Sequence, residues 1–159
     1  VDEETDNQDE EEETEGYGMI YFSTLMAGQN IPAGEVRVVA NESTSTIDID
    51  FNTTGDWVAL EYHVYIGGYD DLPRNRSGKP KIGHFPISDE YVSPETGDYI
   101  AGINYTPGDC NFVAVHIVVQ NTVTGQEETA WMYGVTPIDN VGNQSGWAMG
   151  SFAPEDCSN

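Results

Sequence analysis

Basic residues are what this chain most lacks: five Lys and Arg stand against 28 Asp and Glu, for a formal net charge of −23. A field of that sign repels nucleic acid and anionic membrane, so neither is expected as a partner. It attracts cations and basic surfaces instead. Long apolar runs are missing as well. No stretch of about 18 apolar residues occurs, which excludes a helical membrane span. There is no G-x-S-x-G, no H-E-x-x-H and no glycine-rich phosphate loop, and the chain is read as a non-enzyme. Cysteine is sparse: Cys110 and Cys157 each follow an acidic residue in a polar, turn-like stretch. Without a CxxC or a Cys/His cluster, zinc is not expected. In a secreted chain the two cysteines read as one disulfide closing a loop of about 47 residues, which stabilises by roughly 4 kcal/mol in the chain-entropy model. A bond between subunits is the alternative. Residue 1 is Val and no signal-peptide pattern precedes the first strand, so a processed, extracellular form is expected.

What is present is organised in two parts. Residues 1–16 hold ten acidic residues and no basic one, an acidic tail whose like charges repel one another. Residues 17–159 read as a single domain. Tyr17 to Ala27 (YGMIYFSTLMA) is apolar at both alternations, which predicts a fully buried strand. Strands are also expected at Glu35 to Ala40, at Thr46 to Phe51, at Trp57 to Ile66, at Tyr99 to Tyr105, at Phe112 to Asn121 and at Glu128 to Tyr133. Ile47, Ile49 and Phe51 face in, as do Val113, Val115, Ile117 and Val119. In Trp57 to Ile66, simple alternation puts Val58, Leu60, Tyr62, Val64 and Ile66 on one face, and Trp57, Ala59, Glu61, His63 and Tyr65 on the other. A last apolar stretch, Trp147 to Phe152, is expected to close a sheet edge. About eight strands with turns between them predict an all-β antiparallel fold: a β-sandwich, immunoglobulin-like or jelly-roll-like, or a closely related barrel.

An ordered set of short motifs runs through residues 27–133: Ala27-Gly28-Gln29, Ala33-Gly34-x-Val36-x-Val38, Gly55-x-Trp57, His63-x-Tyr65-x-Gly67, Gly78-x-Pro80-x-x-Gly83-x-Phe85-Pro86, Ala114-x-His116-x-Val118 and Glu128-Thr129-Ala130-Trp131. The set resembles a group of secreted β-domains of archaeal and bacterial cell surfaces, found in sheath, filament and matrix proteins. The resemblance implies an extracellular location and a structural role.

Candidate sites follow from residue chemistry. Calcium takes six to eight oxygens, and Asp48, Asp50, Asp70, Asp71, Asp89 and Glu90 are the candidate ligands. Asn-x-Ser/Thr acceptors begin at Asn41, Asn52, Asn75, Asn104 and Asn143, an excess that suggests glycosylation. His63 and His116 sit mid-strand. A hydrogen-bonded, partly buried state is expected of them, with a cross-strand metal pair completed by Glu61 as the alternative. The leading expectation for function is a subunit that polymerises with copies of itself through strand pairing. Residues 17–26 are its candidate donated strand, with Met19, Tyr21 and Leu25, or Ile20, Phe22 and Met26, filling a neighbour's groove. A monomeric carbohydrate-binding module, with exposed tyrosines as its platform, is the alternative.

Overall fold

The computed structural model describes residues 17–28, 30–106, 111–133, 136–137 and 148–151, with side chains described over 21–28, 30–106 and 111–133. Cys110, Cys157 and Asn143 lie outside the described residues, as does the acidic tail. The strands are β1 (Tyr17–Ala27), β2 (Ile31–Asn41), β3 (Thr46–Thr53), β4 (Trp57–Gly67), β5 (Ile87–Glu95), β6 (Gly97–Asn104), β7 (Phe112–Asn121), β8 (Glu127–Met132), β9 (Thr136–Pro137) and β10 (Ala148–Ser151). Their order across one antiparallel sheet is β5-β4-β7-β8-β1-β2-β3-β6, with β10 added beside β7 and β9 beside β10. The all-β antiparallel fold therefore holds, as one rolled sheet.

Two short connections force the roll. Residues 54–56 link β3 to β4, and Thr96 alone links β5 to β6, although each pair sits at opposite ends of the strand order. A chain advances at most about 3.5 Å per residue, so the two ends of the sheet must be brought together at these links. Thr53 donates its N–H to the Thr96 carbonyl at 2.8 Å, and the Tyr91 hydroxyl donates to Asp98 Oδ2 at 2.7 Å, bridging β5 and β6. Burial and this bond push the Tyr91 phenol upward. Ladder pairing does not complete the closure: β5 and β6 remain the ends of the sheet.

Inside lies one core built from alternate positions of facing strands: Val36 and Val38; Ile47, Ile49 and Phe51; Val113, Val115, Ile117 and Val119; Leu25 and Ala27. Where strands crowd closest, glycine is required. A Cβ on Gly34 would stand 2.3 Å from the Asn52 carbonyl oxygen, and one on Gly97 would stand 2.7 Å from that of Phe51. Gly34→Ala is expected to destabilise the domain by about 3 kcal/mol, because backbone rather than a movable side chain must yield. Urea denaturation measures this directly; an unchanged midpoint would mean that β2 and β3 lie further apart there.

Three expectations need correction. Tyr17–Ala27 forms β1 with the bounds expected, but it is not buried on both faces: Phe22 is 69% exposed, while Leu25 and Ala27 enter the core. In β4 a bulge at Leu60 breaks the alternation, since Ala59 pairs with Val119 but Glu61 with Val118. An extra residue reverses the facing of everything before it. Trp57 and Ala59 consequently join Tyr62, Val64 and Ile66 at the core, leaving Glu61, His63 and Tyr65 on the outer face. Finally, the strand at Ala148–Ser151 pairs with β7 and β9 rather than closing an end of the sheet, and β5, which was not expected, supplies one of those ends.

Candidate functional site

Beyond the bulge, β4 faces Glu61, His63 and Tyr65 outward, and β7 does the same with Phe112, Ala114 and His116. The registers set one row across five strands: Ser88 opposite His63, His63 opposite His116, His116 opposite Trp131, and Trp131 opposite Met26. The His63 and His116 rings lie 5.5 Å apart between centroids. Trp131 meets His116 edge-on at 4.7 Å, a geometry favoured by the positive edge and negative face of aromatic rings.

The connection from β4 to β5 folds over this face. Its two single 3-10 turns, Tyr69–Asp71 and Ile82–His84, lower Leu72 and Phe85 onto Tyr65, Phe112, Ala114 and Trp131, forming a second apolar cluster outside the barrel. Phe85 stands 6.3 Å from Trp131 and 6.0 Å from Tyr65, and Tyr69 stands 5.5 Å from Phe112. The Tyr65 hydroxyl donates to the Gly68 carbonyl at 2.6 Å, pinning the start of the loop.

Beneath this cover His116 is 2% exposed, and neither ring nitrogen has a hydrogen-bond partner among the described residues. The expected hydrogen-bonded histidine is therefore not what forms. Burial, and then the neighbouring His63, push the His116 pKa down to about 3. The ring is held neutral at neutral pH, because charging it would require desolvating a cation. His63 Nε2 donates to Glu61 Oε2 at 2.6 Å, while its Nδ1 is buried without a partner. Among the described residues, Glu61 thus joins His63 and not His116.

The expected sites can now be located. Asp48 accepts from the Tyr99 hydroxyl at 2.7 Å and from the Gly102 N–H at 2.8 Å, holding the bulge of β6. Asp50 lies two residues along on β3, opposite Tyr99. Asp70 and Asp71 are exposed on the first 3-10 turn. Asp89 and Glu90 lie exposed on β5, where the Glu90 N–H caps the Asp89 carboxylate at 2.9 Å. Among the described residues, no three His, Cys, Asp or Glu side chains converge as a metal-binding group. Asn52, Asn75 and Asn104 are exposed and Asn41 half-buried. The amide oxygens of Asn41 and Asn75 each accept from the hydroxyl two residues on, Ser43 and Ser77, at 2.7 Å. Of the candidate assembly residues, Tyr21 packs against the core with Leu25, Phe22 faces outward, and Met26 ends the outer row. Met19 and Ile20 pair with Ala40 and Val39 of β2. Tyr62, Tyr91 and Tyr105 pack against the core, Tyr65 packs in the outer cluster, and Tyr99 and Tyr133 remain exposed.

Sequence alternation put His63 and His116 mid-strand on the faces opposite the apolar rows, but it did not make their strands neighbours and missed Trp131 and Phe85 as their cover. A bulky aromatic next to Met132 reads equally well as ordinary core. No protein-family model, curated protein or solved structure matches the chain.

Proposed function

We propose that this domain is an extracellular structural subunit that joins copies of itself through its sheet edges, in a filament, sheath or matrix. The observation that carries this reading is the incomplete barrel. β5 and β6 end the sheet, and each has one strand partner among the described residues. Such an edge presents a row of backbone donors and acceptors to any strand that lies beside it. Val92 stands fully exposed on β5, within a bulge where Ala59 pairs with Glu95 but Glu61 with Glu90. On β6, Tyr99 and Ala101 face solvent. The resemblance of the motif set to cell-surface β-domains and the accessible glycosylation acceptors support an extracellular setting. The heavy acidic charge means that packed copies need counter-ions, so assembly depends on salt or calcium.

The test is sedimentation and electron microscopy of the full chain, with calcium and with chelator, for the native protein and for Ala101→Glu and Val92→Glu. Neither side chain is packed, so both variants should stay folded. An added like charge along a paired edge should reduce assembly at least about tenfold, a cost of ~1.4 kcal/mol. A native protein that stays monomeric under every condition and binds glycans on an array would replace this reading with that of a carbohydrate-binding module.

A further inference from the structure

Four of the five basic residues of this chain fall within eight positions, Arg74, Arg76, Lys79 and Lys81. The structure shows what that clustering builds. Residues 73–81 form a small, tightly bonded finger at the top of the loop that covers Trp131. Arg74 and Pro80 form a bridge; the Asn75 N–H donates to the Lys79 carbonyl at 2.8 Å, and the Lys81 N–H to that of Pro73 at 2.9 Å. The Asn75 side chain fixes the tip, its Oδ1 accepting from the N–H groups of Ser77 and Lys79, each at 3.0 Å. The Arg74 guanidinium donates to the Gly78 carbonyl at 3.1 Å and lies 4.9 Å over the Tyr69 ring. Arg76, Lys79 and Lys81 are exposed. The finger is therefore a pre-formed cationic knob on a body of opposite charge.

We propose that the acidic segment 1–16 docks on this finger within its own chain. Charge is the first reason: ten acidic residues without a base meet the main cationic feature of the molecule. Topology is the second. β4, β7, β8 and β1 are successive antiparallel neighbours, so the start of β1 at Tyr17 lies at the same end of the sheet as Gly67, where the loop bearing the finger departs. Sixteen residues reach up to about 55 Å when extended, more than the span of a domain this size. A tether this short holds the segment at millimolar effective concentration, which favours its own finger over that of another molecule. Asp70 and Asp71, in the same loop, offset part of the finger's charge but are neighbours of fixed position. This contact does not require assembly, and it stands or falls separately from the reading above.

The experiment is zero-length carbodiimide cross-linking, carboxylate to amine, on an equal mixture of unlabelled and 15N-labelled full-length protein, followed by peptide mass spectrometry. The expected products join Lys79 or Lys81 to acidic residues of 1–16 within a single isotope population, and they fall roughly tenfold in 1 M salt as screening shortens to about 3 Å. Lysines that link only to carboxylates of the body, or to the acidic segment across isotope populations, would overturn the proposal. A second measurement does not depend on lysine reactivity. Replacing the acidic residues of 1–16 by Asn and Gln should shift the amide resonances of Arg76, Ser77 and Lys81; unmoved resonances would count equally against docking.

Discussion

His116→Leu should make this protein markedly more resistant to acid than the native chain. The His116 pKa is lowered in the fold to about 3, against about 6.5 in an unfolded chain. Between those values the unfolded state binds a proton that the folded state does not, so native stability falls as pH drops from about 6.5 through about 3. The slope is about 1.4 kcal/mol per pH unit. Integrated over that window, the loss reaches a few kcal/mol, a large part of the stability of a domain of this size. Leucine cannot take up a proton, and it also removes two buried nitrogens that lack partners, so the variant should equal or exceed the native protein at pH 7. Urea denaturation of both proteins at pH 7, 5 and 4 measures the difference. The carboxylates titrate in both proteins and cancel in the comparison. Stability curves that stay parallel from pH 7 to pH 4 would show that His116 is solvated rather than sealed beneath Trp131.

Trp131→Ala should open the loop over the outer face more than it disturbs the barrel. Trp131 is buried and meets His116 and Phe85 edge-on, so it couples β8 to the long connection on which the finger stands. Truncating a buried aromatic of this size costs about 3–5 kcal/mol. Most of that cost falls on the second apolar cluster, in which Leu72 and Phe85 belong to the loop itself. The readout is trypsin, because four of the five basic residues lie in this loop. Cleavage after Arg76 and Lys81 should accelerate by two orders of magnitude or more, since about 3 kcal/mol shifts a local opening equilibrium roughly 100-fold. Phe51→Ala is the control. It empties a fully buried core position of similar energetic weight but touches neither cluster residue of the loop, so it should speed cleavage at Arg37 as much as at Arg76. Equal acceleration at both sites in Trp131→Ala would mean that loop and barrel unfold as one unit.

Much of the barrel wall could be read from residues alone. Clean alternation in Thr46 to Phe51 and in Phe112 to Asn121 named the inward side chains of β3 and β7, because an unbroken strand allows no other facing. β4 shows the limit. Its eleven residues alternate just as convincingly, yet the bulge at Leu60 turns Trp57 and Ala59 inward. Nothing local marks that bulge, because it arises from matching β4 against both β5 and β7 at once. β5 was missed for a related reason. With Ser88, Asp89, Glu90, Pro94 and Glu95 exposed, it looks like a loop, and it is a strand only because β4 offers it a ladder.

The sequence by itself determined the sign of the charge, the segregation of acid to one end and of base to residues 74–81, and the all-β character, since period-two patterns leave no helical face. Tertiary structure alone decided that a strand shift would swing Trp57 and Ala59 to the core side of β4, and that Trp131 and the loop would cover His116 on the outer face. It also decided that two short links would roll one sheet until its ends joined at the Thr96 corner without pairing. Those outcomes depend on register between strands far apart in the chain, and register is settled by packing and loop closure together, which no local pattern encodes.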